Sequence, residues 1–324
     1  MYIPNRRDFS FAVAGALGTA AWPALAQSGK ISRLVIGFTA GNPFDSLARV
    51  LAERLRVLLD TNFIVENKPG ASGTIAADFV RNGPSDGSVI WLSPFGTMVT
   101  EPIVNKAVVR FYPVNDFIAV GQVATFDVAL AVGPAVAAKT LAEYAAMVKA
   151  DPAKGSFGTP GANNLPHFFT NMFEKAAKID MTNVPFKSAG EAMTSAIGGQ
   201  TAAIASGFGD LIQMHKAGKI HILATSGARR SAFAPEIPTF REAGYPIEGQ
   251  GWFGMFLHKS TPRDVVLRVN KAVSDALKTK ELVDFMQTGG LNAASTTPEQ
   301  FAEILKRDIK VWGDAIRASG IKFD

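Results

Sequence analysis

Four histidines, no cysteine and scattered carboxylates are the side chains available for bond-making chemistry in this 324-residue chain. None of His167, His215, His221 and His258 sits in an H-E-x-x-H frame, and neither a G-x-S-x-G elbow nor a Walker A run occurs. Without cysteine there are no disulfides, thiolate nucleophiles or cysteine metal sites. His215 and His221 flank a glycine turn and read as surface residues rather than as a metal pair. Gly249-x-Gly251-x-x-Gly254 fits the dinucleotide string, but the strand-like Met255-Phe256-Leu257 follows where a phosphate-holding helix is required. No cofactor and no catalytic residue are expected.

What remains is backbone chemistry at two glycine-rich turns. The first is Phe38-Thr39-Ala40-Gly41-Asn42-Pro43-Phe44-Asp45, and the second is Phe157 to His167, containing Thr159, Pro160, Gly161 and Asn163. Each follows an expected strand and opens an expected helix. Such a turn aims unpaired N–H groups outward with the positive helix end behind them, so a carboxylate docks there without an arginine. One such turn commonly does no more than cap its helix, and Asp45 alone reads as an N-cap. Two of them, one per half of the chain, can hold one anion from both sides. Ser93-Pro94-Phe95-Gly96-Thr97 and Ser206-Gly207-Phe208-Gly209-Asp210 are shorter turns expected to line the same cleft.

The elements that must carry these turns alternate. Ile31 to Phe38 is β-rich, and Asp45 to Leu59 is helical with Leu47, Leu51, Leu55 and Leu58 on one face. Strand, loop and helix then recur to Thr225, which predicts an α/β fold with parallel sheets covered on both faces. The tail is helical, ending with Pro298 to Ser319, whose start is marked by Thr297 and Pro298 and whose stop is marked by Gly320. No low-complexity linker divides the chain. Phe117 to Val132 and Glu248 to Leu257 are the candidate crossings between two lobes, a hinge that moves without shear of a core.

Residues 1–26 read as a secretory leader. Arg6-Arg7 is followed by an uncharged stretch, and Ala24-Leu25-Ala26 is a small-x-small cleavage site. Asn5 to Phe9 resembles a twin-arginine leader; a Sec leader with two arginines is the alternative. The net charge is +5; removing Arg6, Arg7 and Asp8 takes away a net +1 and leaves +4. That charge is spread out, which argues against nucleic acid as a partner. No stretch after residue 30 reads as a membrane span.

At these residues the chain resembles the substrate-binding proteins of tripartite tricarboxylate transporters, the Bug or TctC family. The family's phenylalanine-x-alanine-glycine-glycine-proline-threonine-aspartate run stands here as Phe38 to Asp45. Val65-Glu66-Asn67-Lys68-Pro69-Gly70-Ala71, Val184-Pro185-Phe186-Lys187, Pro235-Glu236-Ile237-Pro238-Thr239, Trp252-Phe253-Gly254 and Thr297-Pro298-Glu299-Gln300-Phe301 also match, in order, through the mature chain. The resemblance implies a two-lobed flytrap of the type II periplasmic-binding-protein kind. Residues 27–125 and 250–324 would form lobe 1, and 126–249 lobe 2. It implies a small organic carboxylate as ligand and a membrane permease as partner, with a sensor kinase as the alternative partner and a monomer expected. By position it carries ligand contacts to Phe38, Ala40, Gly41 and Asp45 and to Thr159, Gly161, Asn163 and His167, with Lys187, Ser206 and Asp210 on adjoining loops. Asn42, Phe44, Phe95 and Gly96 complete the candidate set.

The chain departs from that pattern at Asn42, where the family has glycine, and at Phe44, where it has threonine. A bulky ring at the cleft mouth narrows the site or offers a stacking surface. Pro160 and Leu165-Pro166 replace small polar residues, and proline has no N–H to donate. The expectation is a more apolar ligand, an aromatic or branched monocarboxylate. The rival reading, a secreted α/β enzyme acting on a small carboxylate, needs a nucleophile paired with a base, and only His167 beside Thr159 comes near that.

Overall fold

The computed structural model describes residues 31–161 and 164–319. The leader at 1–26, Asn163 and the Gly320 stop lie outside the described residues.

The chain opens with β1 (Ile31–Ile36), α1 (Pro43–Leu58), β2 (Asn62–Asn67), α2 (Thr74–Arg81) and β3 (Val89–Pro94). Asn42 caps α1 through its side chain, Pro43 opens the first turn, and Leu47, Leu51 and Leu55 form the buried stripe. β4 (Phe117–Phe126) then leads straight into β5 (Val128–Val132), with Asp127 alone between them. α3 (Leu141–Ala150), β6 (Ser156–Pro160), α4 (Leu165–Ala177), β7 (Thr182–Phe186), α5 (Ala189–Ile197), β8 (Ala203–Gly207), α6 (Phe208–Lys216) and β9 (His221–Thr225) follow. The chain returns through Gln250 to β10 (Gly251–His258), α7 (Arg263–Ala276), α8 (Lys280–Thr288), β11 (Asn292–Ala293) and α9 (Pro298–Ser319). Among the described residues no helix is long and apolar enough to cross a membrane.

Two sheets result, in the orders β11-β4-β10-β3-β1-β2 and β7-β6-β8-β5-β9. Central strands such as β3 and β5 are buried along nearly their whole length, as strands covered on both faces must be. In the first sheet α1, α7 and α8 pack on one face around Leu34, Ile36, Met255 and Leu257. α2 and α9 cover the other face around Val35, Trp91 and Phe256. In the second sheet α5 and α6 cover one face, and α3 and α4 the opposite one. This is a mixed α/β fold with two lobes, each built on its own sheet.

Register fixes where the loops open. β1 runs parallel to β3, and β10 is antiparallel to both β3 and β4, so β1, β3 and β4 all end on the side where the chain leaves the first sheet. In the second sheet Val128 faces Gly207 across the antiparallel β5–β8 pair, and β6 and β7 run parallel to β8. The ends of β6, β7 and β8 therefore also lie on the crossing side.

One expectation needs correcting. The apolar cluster does not stop at the crossings. Trp312 of α9 lies 5.6 Å from Phe95 of the first lobe and 5.1 Å from Phe169 of the second, ring centre to ring centre. α9 thus straddles both lobes, and any hinge motion must slide or repack this aromatic junction.

Candidate ligand-binding site

Every candidate turn falls just past the end of a strand on the crossing side of its sheet, the rim where open α/β sheets hold their ligands. The chemistry at each turn differs from its neighbours.

In the first turn Gly41 takes φ +85°, which glycine adopts without strain. Asp45 is 2% exposed and accepts from the Gly41 N–H at 3.0 Å and from Asn67 Nδ2 at 2.9 Å. Arg49, one helical turn on, closes a two-point pair with it through Nε at 2.9 Å and Nη2 at 3.0 Å. The Arg49 hydrogen bond, against the opposing effect of burial, brings the Asp45 carboxyl down to about 2. Asn67 Nδ2 also donates to the Phe38 carbonyl. Asn42 Oδ1 accepts from the Asp45 N–H, and its Nδ2 donates to the Thr39 carbonyl. Asp45 and Asn42 therefore hold the turn from within, and the Gly41 amide is spent on Asp45. Thr39 and Ala40 are exposed, and their amides meet no acceptor among the described residues. Gly41 also lines, with Pro43, Asp284, Phe285 and Gly289, a cavity of about 520 Å³ on the α8 side.

Phe44 corrects a second expectation. Its ring is 9% exposed and packs edge-on between Phe38 at 5.1 Å and Phe253 at 4.8 Å. The ring that faces solvent at the mouth is Phe38, 37% exposed. Phe95 is corrected likewise: it is 1% exposed against Trp252 and Trp312 and belongs to the core. Gly96 opens a π-type turn, and its carbonyl accepts from the Thr100 hydroxyl.

In the second turn Gly161 takes φ +99°. The Thr159 hydroxyl is fully buried, 2.6 Å from the Gly161 carbonyl and 2.8 Å from Asn183 Oδ1, so it braces the turn from behind. Asn164 caps α4 through the His167 N–H and ties the Pro160 carbonyl with its other arm. His167 is half-buried; burial lowers its pKa and favours the neutral ring. Its Nδ1 is buried without a hydrogen-bond partner among the described residues. Lys187 is exposed directly after β7.

The third group is Ser206 and Asp210. The buried Ser206 hydroxyl donates to Asp210 Oδ2 at 2.5 Å, so Ser206 too is a support. Asp210 is open to solvent by accessible surface, yet protein surrounds it deeply enough for burial to raise its pKa. Solvent touches the carboxyl, while the protein mass around it disfavours its charge.

Phe38, Thr39, Ala40, Gly161, His167, Lys187 and Asp210 thus lie at the crossing-side ends of the strands, while Asn42, Phe44, Asp45, Phe95, Thr159 and Ser206 make hydrogen bonds or ring contacts within the protein. Sequence reasoning passed over Arg49, Asn67, Asn164 and Asn183. The four-residue spacing of Asp45 and Arg49 on a helix was a usable signal; the partnership of Asp45 with Asn67 spans 22 residues and had none. Gly251 and Gly254 lie in strand β10, where a methyl group would overlap the rings of Phe126 and Phe301. The glycine string there answers to packing. The His215 and His221 rings lie 5.5 Å apart and each meets the backbone, His215 Nδ1 accepting from the Ile222 N–H and His221 Nε2 lying 3.1 Å from the Lys139 carbonyl. Among the described residues no group of three or more histidine or carboxylate side chains is placed to hold a metal ion.

Known proteins share this architecture. Protein BugT of Bordetella pertussis is 25% identical over 291 residues, covering 90% of this chain and 89% of its own. The solved structure of the periplasmic binding protein BugD superposes with a TM-score of 0.76 at 27% identity, covering 90% of this chain and 98% of that one. The R. palustris protein Rpa4515, solved with adipate, gives a TM-score of 0.80 at 25% identity, covering 93% and 99%. The sequence model of the tripartite tricarboxylate transporter family receptor matches residues 47–321, most of the chain, and the chain belongs to that family.

Proposed function

We propose that this receptor captures a small organic carboxylate in the periplasm by closing its lobes about the Asp127 and Gln250 crossings, and delivers it to a membrane permease without chemical change. The observation that carries the reading is the convergence of strand-end turns from both sheets on the crossing side, with the free Thr39 and Ala40 amides on one rim and Gly161, His167 and Lys187 on the other. The carboxylate docks on the first rim, and closure brings the second against it. The closed state is selected because it adds contacts that the open state lacks. Adipate in the related R. palustris protein is a ligand of the same chemical class. Asp210 beside the cleft favours a ligand that presents a donor, or approaches while Asp210 holds its proton. Arg6-Arg7 and Ala24-Leu25-Ala26 support export and removal of residues 1–26.

Native mass spectrometry of the protein purified from periplasm tests this directly. The expected result is a monomer carrying a small organic acid, with a smaller radius of gyration in X-ray scattering than after the acid is dialysed away. A ligand without a carboxylate, or an unchanged radius on saturation, refutes the reading.

A further inference from the structure

Four phenylalanines form a continuous row from the first turn to the crossing. Phe38 meets Phe44 at 5.1 Å, Phe44 meets Phe253 at 4.8 Å, and Phe253 meets Phe126 at 5.1 Å. Phe44 is nearly covered, whereas Phe38 is 37% exposed and Phe253 and Phe126 are half-buried. The row is built rather than incidental. Gly251 lies two residues before Phe253 on β10, hence on the same face, and its missing side chain lets the Phe126 ring lie over the strand. Phe126 is the last residue of β4, immediately before Asp127, and Phe38 neighbours the free amides of Thr39 and Ala40. The row therefore joins the anion-holding end of the rim to the crossing.

We propose that the ligand carries a planar apolar group, as an aromatic carboxylate does, and that Phe38, Phe253 and Phe126 form the wall against which this group lies. This rests on the reading of the protein as a carboxylate receptor and adds the ligand class. Ring faces carry partial negative charge, so they welcome an apolar plane and repel a second carboxylate. A short dicarboxylate gripped at the Thr39 and Ala40 amides would turn its other charge toward these rings and lose water without gaining a partner. An aromatic acid places its one charge on the amides and its ring on the wall, burying apolar surface on both partners.

Calorimetric titration with benzoate and with malate tests the proposal on the wild type and on Phe38→Ala, Phe38→Tyr and Phe126→Leu. Benzoate is expected to bind the wild type at least about tenfold more tightly than malate. Phe38→Ala is expected to weaken benzoate about tenfold, the scale of one ring contact with its burial, and to leave malate nearly unchanged. Phe38→Tyr keeps a ring and should restore benzoate binding, which separates loss of the wall from loss of folding; thermal melts of each variant give the second check. Tighter binding of malate than benzoate, or equal losses for both acids in Phe38→Ala, overturns the ligand class and leaves the carboxylate receptor standing. Binding of neither acid, with uncharged solutes bound instead, removes the receptor reading and this inference together.

Discussion

The Gln250 side-chain amide donates to the Asp127 carboxylate at 2.7 Å, tying the outgoing crossing between the lobes to the returning one. Ser226 adds a second tie: its hydroxyl accepts from the Val128 N–H at 2.9 Å and donates to the Gly249 carbonyl at 2.7 Å. Asp127 is 4% exposed, and burial raises its pKa against the lowering effect of Gln250. A carboxyl raised in the folded state contributes stability that is complete below its ordinary pKa and is lost as pH rises through the folded value. Asp127→Asn should therefore melt increasingly above the wild type as pH climbs beyond the ordinary carboxylate value of 3.8. Gln250→Ala should cost about 1–3 kcal/mol, because it leaves a buried carboxyl without its hydrogen-bond partner. Urea melts across that pH range check both; parallel curves for wild type and Asp127→Asn would count against the account.

Asp45 has the opposite sign. Its carboxyl is held near 2, below the ordinary 3.8, by Arg49 first and then by the Gly41 amide and Asn67. Its contribution is present above pH 3.8 and drains away as pH falls toward 2. Although Asp45 is almost covered, the Arg49 side chain is 53% exposed, so solvent screens the pair. Asp45→Asn is expected to cost about 1–2 kcal/mol at neutral pH, with the difference from wild type closing in strong acid. It should also weaken ligand binding, because the Thr39–Ala40 amides lose the strut beneath them. Equal stability at pH 7 would refute the assignment.

How much of this was legible beforehand follows from the range of the interactions involved. Strand-then-helix alternation and the stripe of Leu47, Leu51 and Leu55 are local patterns, and the fold class follows from them, whereas the helix starts from an Asn42 cap rather than at Asp45, and Leu58, expected on the stripe, is 44% exposed. α8 was not anticipated, since Lys280–Thr288 is short and buries only Leu282 and Met286. Within the site the turns were readable and the roles of their side chains were not. Phe44 and Phe38 are both phenylalanines of one turn, and only the presence of Phe253 across the sheet decides which ring is sheltered. The same limit applies to Phe95, whose burial depends on Trp312 more than two hundred residues away.

The lobes also touch where backbone meets backbone. Gly209, in the first turn of α6, lies against Gly289 and Gly290 after α8, so close that a methyl on Gly209 would overlap the Gly289 carbonyl. Gly209→Ala is therefore expected to wedge the lobes apart beside Asp210. The radius of gyration should rise, and ligand affinity should fall about tenfold or more, the size of one lost closure contact set. Gly190→Ala, whose new methyl would meet only Ser188 at 3.8 Å, is the matched control and should leave both unchanged. If Gly209→Ala binds and scatters as the wild type does, this contact plays no part in closure.

Trp312 offers the most direct view of the motion itself. It is 7% exposed, between Phe95 on one lobe and Phe169 on the other. Rotating one lobe against the other must change what surrounds this indole, whereas Trp91 and Trp252 lie within the first lobe's own aromatic cluster. Ligand addition should shift the wild-type tryptophan emission, and Trp312→Phe, which keeps an aromatic ring at the junction, should bind with similar affinity while losing most of that shift. Trp312→Ala removes the junction and should cost about 3–5 kcal/mol, as excision of a large core ring does, with the heaviest loss in the coupling between the lobes. Calorimetric melting would then show two transitions in place of one. A single sharp transition in Trp312→Ala, with the fluorescence response intact in Trp312→Phe, would mean that the Trp312 junction does not couple the lobes.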